Sequence, residues 1–301
     1  MIYDVAVVGL GPAGVTACVQ LKRCGFSVVG IEAERIGGTL HDASLIENLP
    51  VLKEGANAAT LIENLEKNIA RYNIEVIFER VSKITRNNNI FVLECERNEI
   101  MASAVIIAIG LVPKKSLAVD DMRIFYRIRD VGDVQGRNVG IIGLGDAGFD
   151  AALQFAGKGG TIYLLGRSGI KAIPELVERV RNNSGIKIFT HVRIAHIETG
   201  EKIILHASNV RQGSIPLVLD KILMCTGKVR DLGILPAEIA KKIGRKRLIH
   251  GMICKGMYAA GDFADPSCRY VSSALGSGMK AATLVAEYLR DPDGSNRKKR
   301  N

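Results

Sequence analysis

Two glycine clusters carry the chemistry that can be read first: Gly9-Leu10-Gly11-Pro12-Ala13-Gly14 near the start of the chain and Gly143-Leu144-Gly145-Asp146-Ala147-Gly148 near its middle. In such a pattern the first glycine permits a tight strand-to-helix turn and the second lets the backbone approach a pyrophosphate. The third lets helix and strand pack closely, which leaves the phosphates at the positive end of a helix. One match of this kind is weak evidence. Two, each between an apolar run and a helix-like stretch, point to a chain that holds two dinucleotides.

The elements that must position these turns are local. Val5-Ala6-Val7-Val8 reads as a buried parallel strand, Val15 to Leu21 as a helix, and Ser27 to Ile31 as the next strand, ending at Glu32. A carboxylate there suits the hydroxyls of an adenosine ribose. In the second unit Asn138 to Ile142 reads as strand, Asp146 to Ala156 as helix and Thr161 to Leu165 as strand. This strand runs into Gly166-Arg167-Ser168, with Lys171 close behind, where an acid would select NAD. Arg167, Ser168 and Lys171 suit a 2′-phosphate, so NADPH is favoured over NADH. A third signal is Met257-Tyr258-Ala259-Ala260-Gly261-Asp262, an apolar strand ending in Gly-Asp, followed by a small-residue helix from about Arg269 to Leu289. Asp262 is placed to hold a ribityl hydroxyl, with the helix N-terminus behind it.

These motifs, together with Gly37-Gly38-Thr39-Leu40, Ile46-Glu47-Asn48-Leu49-Pro50, Ala108-Ile109-Gly110 and Cys225-Thr226-Gly227, occur in the order found in one family. The chain resembles the thioredoxin reductase-like flavoproteins of the pyridine nucleotide-disulfide oxidoreductase group, over nearly its whole length. The resemblance implies an α/β fold of two Rossmann-like, three-layer ββα-type dinucleotide-binding domains, the second inserted in the first. It implies FAD in the first and NAD(P)H in the second. Gly9, Gly11, Pro12, Ala13 and Gly14 would cradle the FAD pyrophosphate and Glu32 its ribose. Gly38, Thr39, Leu40, Asn48, Ala108 and Gly110 would border the flavin site, and Gly261 with Asp262 would meet the ribityl chain. Arg269, Tyr270 and Val271 fall where the family has Arg-Gln and a small apolar residue, so Tyr270 departs from the pattern. Gly143, Gly145, Asp146, Ala147 and Gly148 would form the NADPH turn.

A larger departure is an absence. Thioredoxin reductases carry a Cys-x-x-Cys pair ahead of the second nucleotide helix, where this chain reads Arg123-Ile124-Phe125-Tyr126-Arg127-Ile128-Arg129-Asp130. The six cysteines are Cys18, Cys24, Cys95, Cys225, Cys254 and Cys268, and no two stand three apart. A dithiol relay needs a neighbouring pair. The stretch from Phe125-Tyr126 through Gly136-Arg137-Asn138 to Gly145-Asp146-Ala147 resembles instead the disulfide-free ferredoxin/flavodoxin–NADP reductases. The expectation is an NADPH-linked FAD oxidoreductase serving an acidic electron carrier such as ferredoxin or flavodoxin. Alternatives are a disulfide or quinone-type reductase using the bare flavin, or a non-catalytic FAD-binding regulatory protein. Cys268 is read as a packing residue, with a single redox thiol as its alternative role. His41 is read as a loop histidine, with proton donation to a flavin as its alternative. No His/Cys cluster shows metal-ligand spacing, so no metal is expected.

Composition sets the frame. The 301 residues are 47% hydrophobic and carry a net charge of +10, enough for two globular cores. Four positives at 297–300 and two negatives at 291 and 293 leave +8 on the body. Such a surface steers acidic partners; no nucleic-acid reader motif accompanies it. No apolar run has membrane-spanning length, and unpaired cysteines fit a reducing cytoplasm. The motif order places an FAD domain at 1–112 plus 247–301, an NAD(P)H domain at 113–246 and a basic disordered tail at 291–301. The linkers are expected at Val112 to Lys115 and near Gly244-Arg245, and a homodimer is expected by resemblance.

Overall fold

The structure is a computed structural model. It describes residues 1–52, 55–116, 119–209, 213–244, 248 and 251–292; the basic run Arg245-Lys246-Arg247 and nearly all of the 291–301 tail lie outside these. The chain divides into two compact units, one formed by Met1–Val112 with Val229–Asn301 and the other by Pro113–Lys228.

The first unit runs β1 (Ile2–Val8), α1 (Pro12–Arg23), β2 (Val28–Glu32), β3 (Leu45–Ile46), β4 (Ala56–Asn57), α2 (Ala58–Arg71), β5 (Glu75–Phe78), β6 (Lys83–Asn87), β7 (Ile90–Glu94), β8 (Glu99–Ile107) and β9 (Val112–Pro113). The second unit follows with β10 (Ile124–Phe125), β11 (Asn138–Ile142), α3 (Asp146–Gly157), β12 (Thr161–Leu165), α4 (Pro174–Arg181), β13 (Ile186–Phe189), β14 (Val192–Thr199), β15 (Ile203–Asn209), β16 (Gly213–Leu219) and β17 (Lys221–Met224). After β18 (Lys228–Val229), the first unit is completed by α5 (Ala237–Ile243), β19 (Met252–Cys254), β20 (Met257–Ala259) and α6 (Val271–Arg290).

In the first unit the parallel order is β20-β8-β1-β2-β5, with β19 antiparallel at one edge. Val5 to Val8 are buried on both faces, which is why β1 reads as a continuous apolar run rather than an alternation. One face of the sheet packs α1 and α6 through Val15, Leu21, Ala281 and Val285. The other packs the hairpin β6–β7, which pairs with the start of the long strand β8 through Phe91↔Ala102. The result is three layers of helix, parallel sheet and antiparallel sheet.

The second unit repeats this plan. Its parallel sheet is β10-β17-β11-β12-β13, with α3 and α4 on one face and the antiparallel sheet β14-β15-β16 on the other. Phe149 and Phe155 of α3 are fully buried against the parallel sheet, and truncating either to alanine costs about 3–5 kcal/mol. Solvent covers the far side of β14-β15-β16, because the buried residues Ile203, Leu205 and Ala207 all point inward from β15.

The return crossing is not where the sequence places it. The chain re-enters the first unit at Lys228/Val229, not near Gly244-Arg245. Ile234, Leu235 and Ile243 are buried in the first unit's core, and Arg230 donates to the Phe263 and Ala264 carbonyls at 2.5 and 2.9 Å. These contacts are long-range in sequence, so no local signal marks the boundary. The outgoing crossing β9 and the returning crossing β18 pair as a two-stranded ladder.

Candidate functional site

Both glycine turns lie at the C-terminal edge of a parallel sheet, between its central strand and the following helix. This is where open α/β sheets bind ligands. In the first turn a Cβ on Gly9 would lie 2.6 Å from the Ala108 carbonyl oxygen, and one on Gly14 would lie 1.9 Å from that of Gly9. The second turn is built alike: a Cβ on Gly143 would lie 2.2 Å from Cys225 O, and one on Gly148 would lie 2.0 Å from Gly143 O. Packing therefore dictates the first and third glycine of each set.

Packing does not dictate the middle ones. A Cβ on Gly11 would find its nearest neighbours, Gly37 O and Gly38 Cα, at 4.0 Å, and one on Gly145 would meet nothing within 4 Å. Their backbones are ordinary extended N-caps, with φ −71° and ψ −173° at Gly11 and φ −97° and ψ 179° at Gly145. Any residue could stand at either place in the protein alone. Bare backbone there leaves room for a group from outside the chain at each helix N-terminus, which fits a pyrophosphate. Pro12 opens α1 at the position where a missing N–H costs nothing.

The loops beside the turns also correspond. Gly37 N–H donates to Leu10 O at 2.9 Å, and Lys171 N–H donates to Leu144 O at 2.8 Å. Gly37 and Gly38 adopt positive φ of 111° and 56°, which sets the 3-10 turn at 38–42, containing Thr39, buried Leu40 and His41, against Gly11. His41 Nε2 lies 2.9 Å from Ile36 O. With that nitrogen donating, His41 ties the loop to its own start.

The strand ends differ in a way that bears on nucleotide choice. Val8 pairs with Ile31 as Ile142 pairs with Leu165, so Glu32 and Gly166 are counterparts. Glu32 is buried, and its carboxylate accepts from Leu10 N at 2.8 Å and Glu34 N at 3.0 Å. A carboxylate has about four acceptor sites, so two remain for a ribose. At Gly166 a Cβ would lie 2.4 Å from Leu144 Cγ, so the second site has a leucine side chain over the strand end where the first has an acid. Arg167, Ser168 and Lys171 follow on an exposed loop. Asp146 accepts from Ile173 N at 2.9 Å, fixing that loop to the first turn of α3; Ala147 continues the turn.

The remaining first-unit residues converge less completely. Gly261, with φ 63°, sets its Cα against Ala13, where a Cβ would lie 3.0 Å from the Ala13 Cβ. Its N–H donates to Ser277 Oγ at 3.0 Å. Gly278 brings α6 onto α1 so closely that a Cβ would lie 2.1 Å from Ala13 O. Sequence reasoning missed Gly278 and Ser277, although Gly276-Ser277-Gly278 signals a close helix approach. Gly110 has φ 66°, and Asp262 sits in a short 3-10 turn. Val271 opens α6, Arg269 and Tyr270 are exposed ahead of it, and Asn48 is exposed on the loop after β3.

All six cysteines are free. Burial pushes the Cys18 and Cys254 thiols up, and that of Cys95 to about 11, away from the reactive thiolate. Cys268 is half-buried in the turn before α6, where its carbonyl accepts from Ser273 Oγ at 2.8 Å. Ile128–Asp130, in the cysteine-free stretch after β10, forms a one-turn 3-10 helix. Lys221 Nζ holds the following residues by donating to Val131 O at 2.5 Å and Asp133 O at 2.7 Å.

Residues 3–278 match the sequence profile of the pyridine nucleotide-disulphide oxidoreductases. The chain belongs to that family. Thioredoxin reductase-like members of the family use FAD and NADPH. Among individual proteins, the chain is 27% identical to an alkyl hydroperoxide reductase subunit of Staphylococcus aureus over 305 residues, which is 95% of this chain and 59% of that protein. It therefore spans about three fifths of the length of that relative. It is 24% identical to the thioredoxin reductase of Mycoplasma genitalium, over 96% of both chains. The fold matches Lactococcus lactis thioredoxin reductase with a TM-score of 0.86 at 21% identity, over 96% of this chain and 99% of that one. Among the described residues no helix is long and apolar enough to cross a membrane.

Proposed function

We propose that this pyridine nucleotide-disulphide oxidoreductase is an NADPH-linked FAD enzyme that passes electrons on without a dithiol on this chain. The observation that carries the reading is the bare middle glycine in both turns, Gly11 and Gly145, which neither backbone conformation nor packing demands. Bound FAD supplies an electron acceptor and donor, and bound NADPH supplies a hydride.

The chain's own residues bind and orient. Gly9 to Gly14 would take the FAD pyrophosphate, Glu32 the ribose and Asp262 the ribityl chain, with Gly38, Thr39, Leu40, Asn48, Ala108, Gly110, Gly261, Arg269, Tyr270 and Val271 bordering the site. Gly143 to Gly148 would take the NADPH pyrophosphate. Arg167, Ser168 and Lys171 would meet its 2′-phosphate, and Leu144 on Gly166 removes the carboxylate position that would repel it.

The favoured acceptor is an acidic one-electron carrier of the ferredoxin or flavodoxin kind. Its support is the net charge of +10 and the single cysteine, Cys225, within residues 113–228. The active form is proposed as a homodimer. The test is NADPH-driven turnover with flavodoxin and ferredoxin beside thioredoxin. Reduction of a carrier with no turnover of thioredoxin supports the reading, and efficient thioredoxin reduction overturns it. A second reading, disulfide reduction through Cys268, rests on that thiol's place beside the start of α6; Cys268→Ser would then abolish turnover with small disulfides.

A further inference from the structure

The solvent face of the small sheet in the second unit holds a cluster that sequence spacing conceals. His196 on β14 and His206 on β15 are directly opposed in the antiparallel register. Glu198, two residues along β14, lies on the same face. The His196 and His206 Nε2 atoms stand 3.1 and 3.0 Å from Glu198 Oε1. The imidazoles stack with centroids 4.0 Å apart and planes 10° apart. One donor atom from each of the three residues falls within 4.8 Å of the others.

We propose that His196, Glu198 and His206 form a binding site for a late first-row divalent cation such as Zn²⁺, with its remaining positions filled by water. Four-coordinate Zn²⁺ with bonds of about 2.0–2.1 Å spaces its ligand atoms by about 3.3 Å, close to the two nitrogen–oxygen separations here. The His206 Nε2 atom is buried and lies 3.0 Å from Glu198 Oε1, facing the carboxylate that His196 also meets. Two imidazoles and a carboxylate suit Zn²⁺, Ni²⁺ or Cu²⁺ and are poor ligands for Mg²⁺ or Ca²⁺. The cation would join the edge strand β14 to β15 across a ladder whose register shifts between Ile194 and His196. Residues 196, 198 and 206 become neighbours only when the strands pair, so their spacing in the sequence does not mark them as a cluster.

The experiment is calorimetric titration of the untagged, FAD-loaded full chain with ZnCl₂ in a non-chelating buffer, beside His196→Gln, Glu198→Gln and His206→Gln. MgCl₂ serves as a control. All three side chains lie on the solvent face, and each variant's flavin spectrum and metal-free melting temperature report its folding. Expected are one Zn²⁺ per chain, no heat with Mg²⁺, and weakening by about tenfold or more in each histidine variant. Zinc should also raise the melting temperature of the wild type and not of His206→Gln. No zinc binding by the wild type overturns the proposal. So does binding that is unchanged in both histidine variants, which would assign the cation to cysteine thiolates.

Discussion

The side chain of Leu144 rests on Gly166 so closely that a Cβ there would lie 2.4 Å from Leu144 Cγ. The same strand position in the first unit is Glu32, which holds the backbone N–H groups of Leu10 and Glu34. The two turns share a plan and differ at this strand end, where an acid in a dinucleotide-binding fold meets the adenosine ribose. With Gly166 silent, Arg167 and Lys171 are the charges left to act. Arg167→Ala and Lys171→Ala should each raise the KM for NADPH about tenfold while leaving that for NADH within about twofold, a loss on the scale of one charge-assisted hydrogen bond. Equal effects on both nucleotides would remove these residues from 2′-phosphate recognition.

Gly145 and Gly148 separate ligand approach from packing. Gly145→Ala should leave stability unchanged or raise it by about 0.4–1 kcal/mol, since its backbone is compatible with alanine and its Cβ meets nothing. It should nonetheless raise the KM for NADPH. Gly148→Ala should lower stability by about 1–3 kcal/mol or more, because its Cβ would lie 2.0 Å from Gly143 O. Thermal melting and steady-state kinetics on both variants check the contrast.

The β-α-β turns were legible because everything that makes them is local: apolar strand, glycines, helix and Glu32 lie within one short segment. The second unit was legible for the same reason, and its loop even repeats the backbone bond of Gly37 at Lys171. Long-range features were not. Ile234, Leu235 and Ile243 look like any short amphipathic stretch until they are buried against β6 and β7. Asp146 reads as part of a phosphate turn, yet its carboxylate caps Ile173. The role of Gly278 appears only when α6 meets Ala13.

Cys268→Ser should leave NADPH oxidation with carrier proteins or quinones within about twofold of the wild type, since a lone thiol does not complete a dithiol relay. Turnover measured with a quinone and with a small disulfide in parallel checks this. Loss confined to the disulfide would favour the single-thiol reading.

Asp121 supplies a pH signature. Arg123 donates to its carboxylate from N–H, Nε and Nη2 at 2.8, 2.9 and 2.6 Å, holding the carboxyl down at about 2 from an ordinary 3.8. A depressed acid stabilises the fold fully above its unfolded value, and that contribution is lost as pH falls through the folded one. Arg123→Gln should therefore melt below the wild type at neutral pH and still do so at about pH 4. The gap should close only toward about pH 2. Melting curves across that range decide it, and a gap already closed at about pH 4 would contradict the pairing.

The most direct test of the central claim is anaerobic stopped-flow absorbance of the FAD-loaded protein mixed with NADPH, with NADH in parallel. Rapid bleaching of the flavin's visible band by NADPH, slower with NADH, is the result this account predicts. A flavin that dithionite reduces readily but neither nucleotide bleaches would contradict it.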